Sequence, residues 1–251
     1  MTPSPPLTTL PALPGQLGAT GWAVLSGADL ARLCGLESDA LLAWRPVWHA
    51  LPPDPHLRDG GRYRQRRHGC FVACGGEVQA VPHRAHWQPV EYNALHGGLE
   101  RWFEPLPPAL VADPSWTRLL AGLTPVANAL RGSQPWYIEA HTFRIHTEGD
   151  GAIGRPTPEG AHRDGVDLVL VAIIDRHNVK GGETRVFDAH GSNGVRFTLS
   201  EPWSALLLDD ERVIHETTPI QPLEPGLPAW RDTLVLTFRS GGFQGPDSAA
   251  G

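Results

Sequence analysis

Three residues of this chain combine donor types and a spacing that suit a metal ion. His162 and Asp164 stand two apart at the head of an apolar run, and His215 comes about fifty residues later. Two imidazoles and one carboxylate can fill one face of an octahedral Fe(II), leaving three adjacent positions open for a cosubstrate and O₂. In a strand, residues two apart point to the same side, so His162 and Asp164 can approach one ion while Arg163 points away. The run Val166 to Ile174 reads as a buried strand that would hold the pair at its mouth. His215 comes after a second apolar run, Ala205 to Leu208, and the acidic pair Asp209 and Asp210, so a second strand would deliver the third ligand. Twelve histidines make a bare His-x-Asp a weak signal. The distal histidine strengthens the pattern, and so does an arginine beyond it.

That arginine is Arg231, which shares with Thr233 one face of the strand-like run Thr233 to Phe238. Fe(II) with one aspartate carries one net positive charge. A 2-oxoglutarate dianion chelating it would leave its far carboxylate in need of a separate cation. Arginine suits that role, because its planar fork binds a carboxylate through two parallel charge-assisted hydrogen bonds. The Thr233 hydroxyl could add another bond. A solvated arginine at a strand start is the competing explanation, which the order His-x-Asp, His, Arg-x-Thr disfavours.

Four segments carry these residues: Pro156 to Gly165 (PTPEGAHRDG), Arg176 to Ala189 (RHNVKGGETRVFDA), Leu207 to Pro219 (LLDDERVIHETTP) and Arg231 to Phe238 (RDTLVLTF). They resemble the bacterial Fe(II)/2-oxoglutarate-dependent amino-acid dioxygenases that include L-isoleucine 4-hydroxylase. Upstream, Tyr92-Asn93, Gly97-Gly98 and Arg101 to Pro105 are also similar to that family, so the resemblance spans roughly residues 60 to 240. It implies a double-stranded β-helix, Fe(II) held by His162, Asp164 and His215, 2-oxoglutarate anchored by Arg231 and Thr233, and O₂ as oxidant. The implied reaction is hydroxylation of an unactivated carbon of a free L-amino acid, with 2-oxoglutarate decarboxylated to succinate and CO₂. Ala161, Arg163 and His86-Trp87 differ from the isoleucine enzymes, so the substrate class stays as broad as an aliphatic amino acid or a cyclic imino acid such as proline or pipecolate. Two other readings fit the triad: a Zn(II) hydrolase activating water, and a non-catalytic cupin-like barrel that holds a metal or small acid. Arg231-x-Thr233 has no role in the hydrolase.

Substrate contacts are less defined. Glu159 precedes the first ligand by three residues on a proline-rich loop and could receive a substrate ammonium, or be a solvated carboxylate. Arg144, on the alternating stretch HTFRIH, could pair a substrate carboxylate or form a salt bridge to a neighbouring strand. His141, His146 and His190 read as surface or core residues. The basic stretch Arg62 to Phe71 reads as a solvated strand face rather than an anion site. Gly181-Gly182, with His177-Asn178, reads as a turn needing positive φ, and Thr184 beyond it could line a cosubstrate pocket.

Composition fits small-molecule chemistry. A net charge of −6 would repel nucleic acid and anionic membranes, so neither is expected as a partner. Three cysteines, Cys34, Cys70 and Cys74, lack a metal-type spacing and are expected to be free thiols. Residues 1–16 contain five prolines and no lysine or arginine, unlike a signal peptide, and no apolar run approaches the roughly 20 residues that span a bilayer. A cytoplasmic location is expected.

The expected fold class is mainly β with flanking helices, a jelly-roll barrel buttressed by N-terminal helices. Strands are expected at Tyr137–His146, Val166–Ile174, Glu183–Ala189, Val195–Leu199, Ser204–Leu208, Arg212–Thr217 and Thr233–Phe238, between Gly, Pro and Asn turns. Helices are expected at Ser26–Leu36 and, with Asp113 before Pro114, to Arg131 with a kink or restart at Thr124-Pro125. Arg45 to Gly61 reads as loop. The expected organisation is a flexible or surface-hugging arm at 1–16 that forms no helix, one domain at 17–240 and a frayed tail at 241–251.

Overall fold

Apolar residues alternate along the central strands, and both faces of those strands are buried, one against helices and one against a second sheet. The computed structural model describes residues 3–93, 95–147 and 152–246. Its strands are β1 (Trp22–Leu25), β2 (Arg64–Cys74), β3 (Glu77–Ala80), β4 (Trp136–Thr147), β5 (Leu168–His177) and β6 (Val179–Gly181). They continue as β7 (Thr184–Asp188), β8 (Gly194–Phe197), β9 (Ala205–Asp209), β10 (Val213–Thr217), β11 (Ile220–Pro222) and β12 (Ala229–Arg239). The helices are α1 (Leu13–Thr20), α2 (Gly27–Leu33), α3 (Ser38–Leu42), α4 (Pro108–Val111) and α5 (Pro114–Arg131).

Seven strands form an antiparallel sheet in the order β1-β9-β5-β12-β4-β2-β3, opposed by a three-stranded sheet β10-β7-β8 and the pair β11-β6. On the outer face of the large sheet, Ile138, Ala140, Leu168, Leu170, Leu234, Leu236 and Phe238 pack against Trp116, Leu119, Leu120 and Leu123 of α5. On the inner face, Val169, Ile173, Leu206 and Leu208 meet Val186, Phe197 and Val213 of the smaller sheet. Two antiparallel sheets packed in this way make the jelly roll, a double-stranded β-helix, expected from the strand spacing.

All seven expected strands form, within one to four residues at their ends, and both expected helices begin at the expected caps. Ser26 accepts from Asp29 N at 3.1 Å and Asp113 from Ser115 N at 2.8 Å. Of the kink or restart expected at Thr124-Pro125, the restart does not occur: α5 is one helix from Pro114 to Arg131 with Pro125 inside it. Pro125 cannot donate to the Ala121 carbonyl, and the Thr124 hydroxyl bonds that carbonyl instead, at 2.7 Å.

Other expectations are corrected as well. The proline-rich start does form helix, because its prolines occupy the first turns, where no N–H is needed; Leu13 and Leu17 of α1 are buried. Before α1 the arm hugs the surface, Thr8 N bonding Val24 O at 2.7 Å. Residues 1 and 2 lie outside the described residues. Within the expected loop, Arg45–Ala50 is a 3₁₀ helix that buries Trp48, whose Nε1 donates to Thr233 O at 3.0 Å. The tail is ordered through residue 246: Phe243 lies under the Arg84 guanidinium, 4.3 Å from ring centre to carbon, and Gln244 is buried. Residues 247–251 lie outside the described residues. Among the described residues no helix is long and apolar enough to cross a membrane.

Candidate active site

The inner face of the large sheet is arranged in rows set by strand register. Arg64, Ile145 and Arg231 lie abreast on β2, β4 and β12, followed by Arg66, Phe143 and Thr233, then His68, His141 and Val235, then Cys70, Glu139 and Thr237. Most of these side chains line a cavity of about 130 Å³ between the two sheets, closed on another side by His162, Asp164, His215, Glu159 and Thr217.

His162, Asp164 and His215 are brought together: one donor atom from each lies within 4.8 Å of the other two. His162 Nε2 is 3.7 Å from one Asp164 oxygen, and His215 Nε2 is 3.7 Å from the other. His162 and His215 pair through an antiparallel bridge, each backbone N–H donating to the other's carbonyl at 3.0 Å. The His162 Nδ1–H donates to Gly160 O at 2.9 Å, which fixes the tautomer and leaves the Nε2 lone pair directed at the cluster.

His162 and Asp164 do not lie on a regular strand, as their spacing suggested. They occupy a bridge and a turn ahead of β5, and a residue outside the motif holds that turn. Asp210 accepts from the backbone N–H groups of Asp164 (3.0 Å), Gly165 (2.8 Å) and Val166 (3.1 Å). Gln244 closes the other side, donating to Asp164 O at 3.1 Å and Gly165 O at 2.8 Å. Gly165 has φ of 74°, and a Cβ there would stand 2.4 Å from the Tyr92 ring, so both backbone and space require glycine. Gln88 Nε2 donates to Asp164 Oδ1 at 3.1 Å, leaving the other carboxylate oxygen free of it.

Replacing Asp210 by alanine leaves three turn N–H groups without their acceptor. The expected result is a loss of divalent-metal affinity of about 10- to 100-fold, as for other residues that orient ligands, read by titration of the metal-free protein with Fe(II) or Mn(II). Unchanged affinity would show that the turn holds its shape without Asp210.

Burial raises the Asp164 pKa, with the His162 charge opposing. Burial also disfavours the His162 cation, but Asp164 and Glu159 outweigh it and raise that pKa, while burial and then His162 hold His215 well below its ordinary value. A divalent ion resolves this crowding, because it favours the ionised carboxylate and neutral imidazoles together.

Arg231 and Thr233 lie on the cavity face of β12, both 3% exposed. Among the described residues the Arg231 Nε and Nη2 have no hydrogen-bond partner, and burial, followed by the charge of Arg176, pushes its pKa down to about 9. A buried guanidinium without an anion is costly, so this geometry suits the far carboxylate of 2-oxoglutarate. Thr184 does not line the cavity; its cross-strand partner Thr217 does.

The sequence-based roles of the substrate residues divide. Glu159 lines the cavity, its Oε1 3.5 Å from His162 Nε2. Arg144 is corrected: its neighbours Phe143 and Ile145 face the cavity, so Arg144 faces away, and its Nε donates to Asp232 at 2.8 Å while Nη2 donates to the second oxygen at 2.6 Å. The interstrand salt bridge is the explanation that holds.

The basic stretch is corrected too. Alternation along β2 turns Arg64 and Arg66 inward, 6% and 3% exposed, on the cavity wall. Beside them His68, His86, Glu139 and His141 form a second close cluster, unforeseen from sequence. His86 Nδ1 is 2.6 Å from Glu139 Oε2, and burial pushes the His86 pKa down to about 4. Arg66 Nη2 donates to His141 Nδ1 at 2.6 Å. That bond makes Nδ1 the acceptor, so a neutral His141 holds its proton on Nε2, facing Glu139 at 3.8 Å. With that lone pair taken, His141 offers the cluster no free ring nitrogen and stands as a fixed polar residue on the cavity wall.

Known proteins share sequence or fold with this chain. The chain is 25% identical over 171 residues to 3(1)-hydroxy-L-isoleucine 4-dioxygenase of Pantoea ananatis, covering 65% of this chain and 67% of that protein. The crystal structure of a bsmA homolog from Methylobium petroleophilum superposes with a TM-score of 0.90 at 56% identity, covering 96% of each chain. IDO from Bacillus thuringiensis shares the fold at 17% identity, with a TM-score of 0.75 over 94% of this chain and 97% of that one. Residues 45–237, well over half the chain, match the family model described as 2OG-Fe dioxygenase, and the protein belongs to that family of oxygenases, which use Fe(II), 2-oxoglutarate and O₂.

Proposed function

We propose that this protein hydroxylates an unactivated carbon of a free L-amino acid, aliphatic or a cyclic imino acid. His162, Asp164 and His215 hold Fe(II), and Arg231 with Thr233 holds the far carboxylate of 2-oxoglutarate. The observation that carries the reading is the placement, in one cavity, of a two-histidine, one-carboxylate cluster and a buried guanidinium with unused N–H groups. The name of the Pantoea relative supports an amino-acid substrate. Iron and 2-oxoglutarate together supply oxidative decarboxylation: one atom of O₂ enters succinate, CO₂ leaves, and the other atom enters the substrate as hydroxyl. The chain's own part is orientation, since the carbon held nearest the metal is the one oxidised. Glu159 stands beside His162 where a substrate ammonium can meet its carboxylate. The charged side chains on the cavity wall, Glu159 among them, suit a substrate that carries charge at both ends.

The common L-amino acids and imino acids, tested singly with Fe(II) and 2-oxoglutarate and read by product mass, should yield a substrate that gains one oxygen. Its N-acetyl form should fall in turnover by on the order of a hundred-fold or more, because a site that pairs charges rejects a partner that leaves them unpaired. Comparable turnover of the capped form, or of a peptide, would overturn the free-amino-acid reading.

A further inference from the structure

The cavity holds a second buried guanidinium without an anion. Arg101 is 3% exposed; its Nη2 donates to the neutral Gln88 Oε1 at 2.9 Å, and among the described residues its Nε has no partner and no carboxylate forms an ion pair with it. The neighbouring arginines are already engaged. Arg64 and Arg66 share the Asp54 carboxylate, at 2.7 and 3.9 Å, and the Arg66 guanidinium also lies 3.7 Å from the Phe103 ring centre and bonds His141; Arg64 Nη2 and Arg66 Nε are left unpaired among the described residues, but each guanidinium has its anion. Arg101 and Arg231 are therefore two separate buried guanidiniums that face one cavity from different elements, neither of them in an ion pair among the described residues. 2-Oxoglutarate bound at the metal has one free carboxylate, so it satisfies one of them.

We propose that Arg101 binds the carboxylate of the amino-acid substrate, the role expected of Arg144 from its place in the sequence, and that Gln88 is its positioning residue. The inference rests on the amino-acid reading above. Its support is the way Arg101 is built in. Its backbone exchanges two hydrogen bonds of 2.9 Å with His86, whose ring is fixed on Glu139. Gln88, two residues beyond His86, holds the guanidinium through Oε1 and the ligand Asp164 through Nε2. Asn93 Nδ2 also donates to Gln88 Oε1, at 3.0 Å, which fixes the orientation of that amide. One amide thus sets the distance between the carboxylate receptor and the metal ligand. With Glu159 near the ammonium, both charged ends of an amino acid are received on the same side of the metal site, and the side chain is left to point along the cavity.

The test compares the best free amino acid with its carboxamide in wild type, Arg101→Gln and Arg101→Lys. Turnover is read as kcat/KM, and binding by calorimetry on the anaerobic Fe(II)/2-oxoglutarate-loaded protein. Wild type should prefer the acid by on the order of a hundred-fold or more; Arg101→Gln should shrink that preference to within about ten-fold in both readouts. Arg101→Lys should retain the preference while KM for the acid rises about ten-fold, since a point charge keeps the sign but loses the fork. A residue that only shaped the fold would weaken acid and amide alike. An unchanged preference in Arg101→Gln, or its collapse in Arg231→Gln instead, would overturn the assignment while leaving the amino-acid reading standing. Wild type that oxidises no free amino acid, yet forms succinate, would overturn the reading of the substrate and this inference with it.

Discussion

Alanine at His162, Asp164 or His215 is expected to reduce Fe(II)-dependent succinate formation to background while the metal-free protein melts within roughly 2–4 °C of wild type. The size of the first effect comes from the coordination. Three protein donors occupy one face of the ion, and loss of any one leaves a two-donor site with neither the affinity nor the geometry to present 2-oxoglutarate and O₂ on adjacent positions. The smallness of the second comes from location. The three side chains stand at the cavity edge, 12%, 16% and 10% exposed, outside the apolar clusters that join the sheets to each other and to α5. In the Asp164 variant the loss of that carboxylate also relieves its repulsion with Asp210 in the metal-free protein. Metal content by elemental analysis and melting by calorimetry check both halves. Full activity in any of the three variants would remove that residue from the ligand set.

Arg231→Lys is expected to raise KM for 2-oxoglutarate about ten-fold or more and to leave KM for the amino acid much less affected. A lysine keeps the charge but cannot reproduce two parallel N–H donors, and loss of a charge-assisted bond costs roughly 1.5 to 3 kcal/mol. The site magnifies the loss, because Arg231 is buried beside Arg176 and its cation is already held at a cost. Substitution there must therefore be read against Arg101→Lys. The expected pattern is crossed: Arg231 governs the cosubstrate and Arg101 the substrate. If Arg231→Lys moves only the amino-acid KM, the two guanidiniums have been assigned the wrong way round.

Most of the fold is legible in the sequence because its signal is local. Runs such as Val166 to Ile174 and Thr233 to Phe238 are apolar and bounded by turn residues, and they form strands. Period-two alternation alone is enough to put Arg231 and Thr233 on one face. The same alternation turns Arg64 and Arg66 inward with Glu139 and His141, against the solvated face that the composition of the basic stretch suggests. Buried arginines are rare, and the Phe103 and Phe143 rings, the Asp54 carboxylate, the His141 ring nitrogen and the cavity make these two tolerable. Arg144 departs from expectation for a related reason: its strand forms as expected, but which face looks inward depends on register with β12. Arg101 and Asp210 stand in segments that resemble the family, yet the roles of Asp210, Gln88, Arg101 and Gln244 are not readable from their positions. Each acts through a partner many residues away, from a loop without periodicity, and only tertiary pairings such as the His86–Arg101 bridge bring them to the site. The hydrolase and binding-barrel alternatives, open on the triad alone, give way to the family match across residues 45–237.

The most direct measurement is the stoichiometry of a single reaction: anaerobically prepared Fe(II) protein, 2-oxoglutarate and the preferred amino acid, started with ¹⁸O₂. The expected result is one succinate for each product molecule heavier by one oxygen, with label in both. Succinate formed without any oxygenated amino acid, or an amino-acid product whose added oxygen comes from water under conditions that prevent exchange, would contradict an amino-acid hydroxylase built on His162, Asp164 and His215.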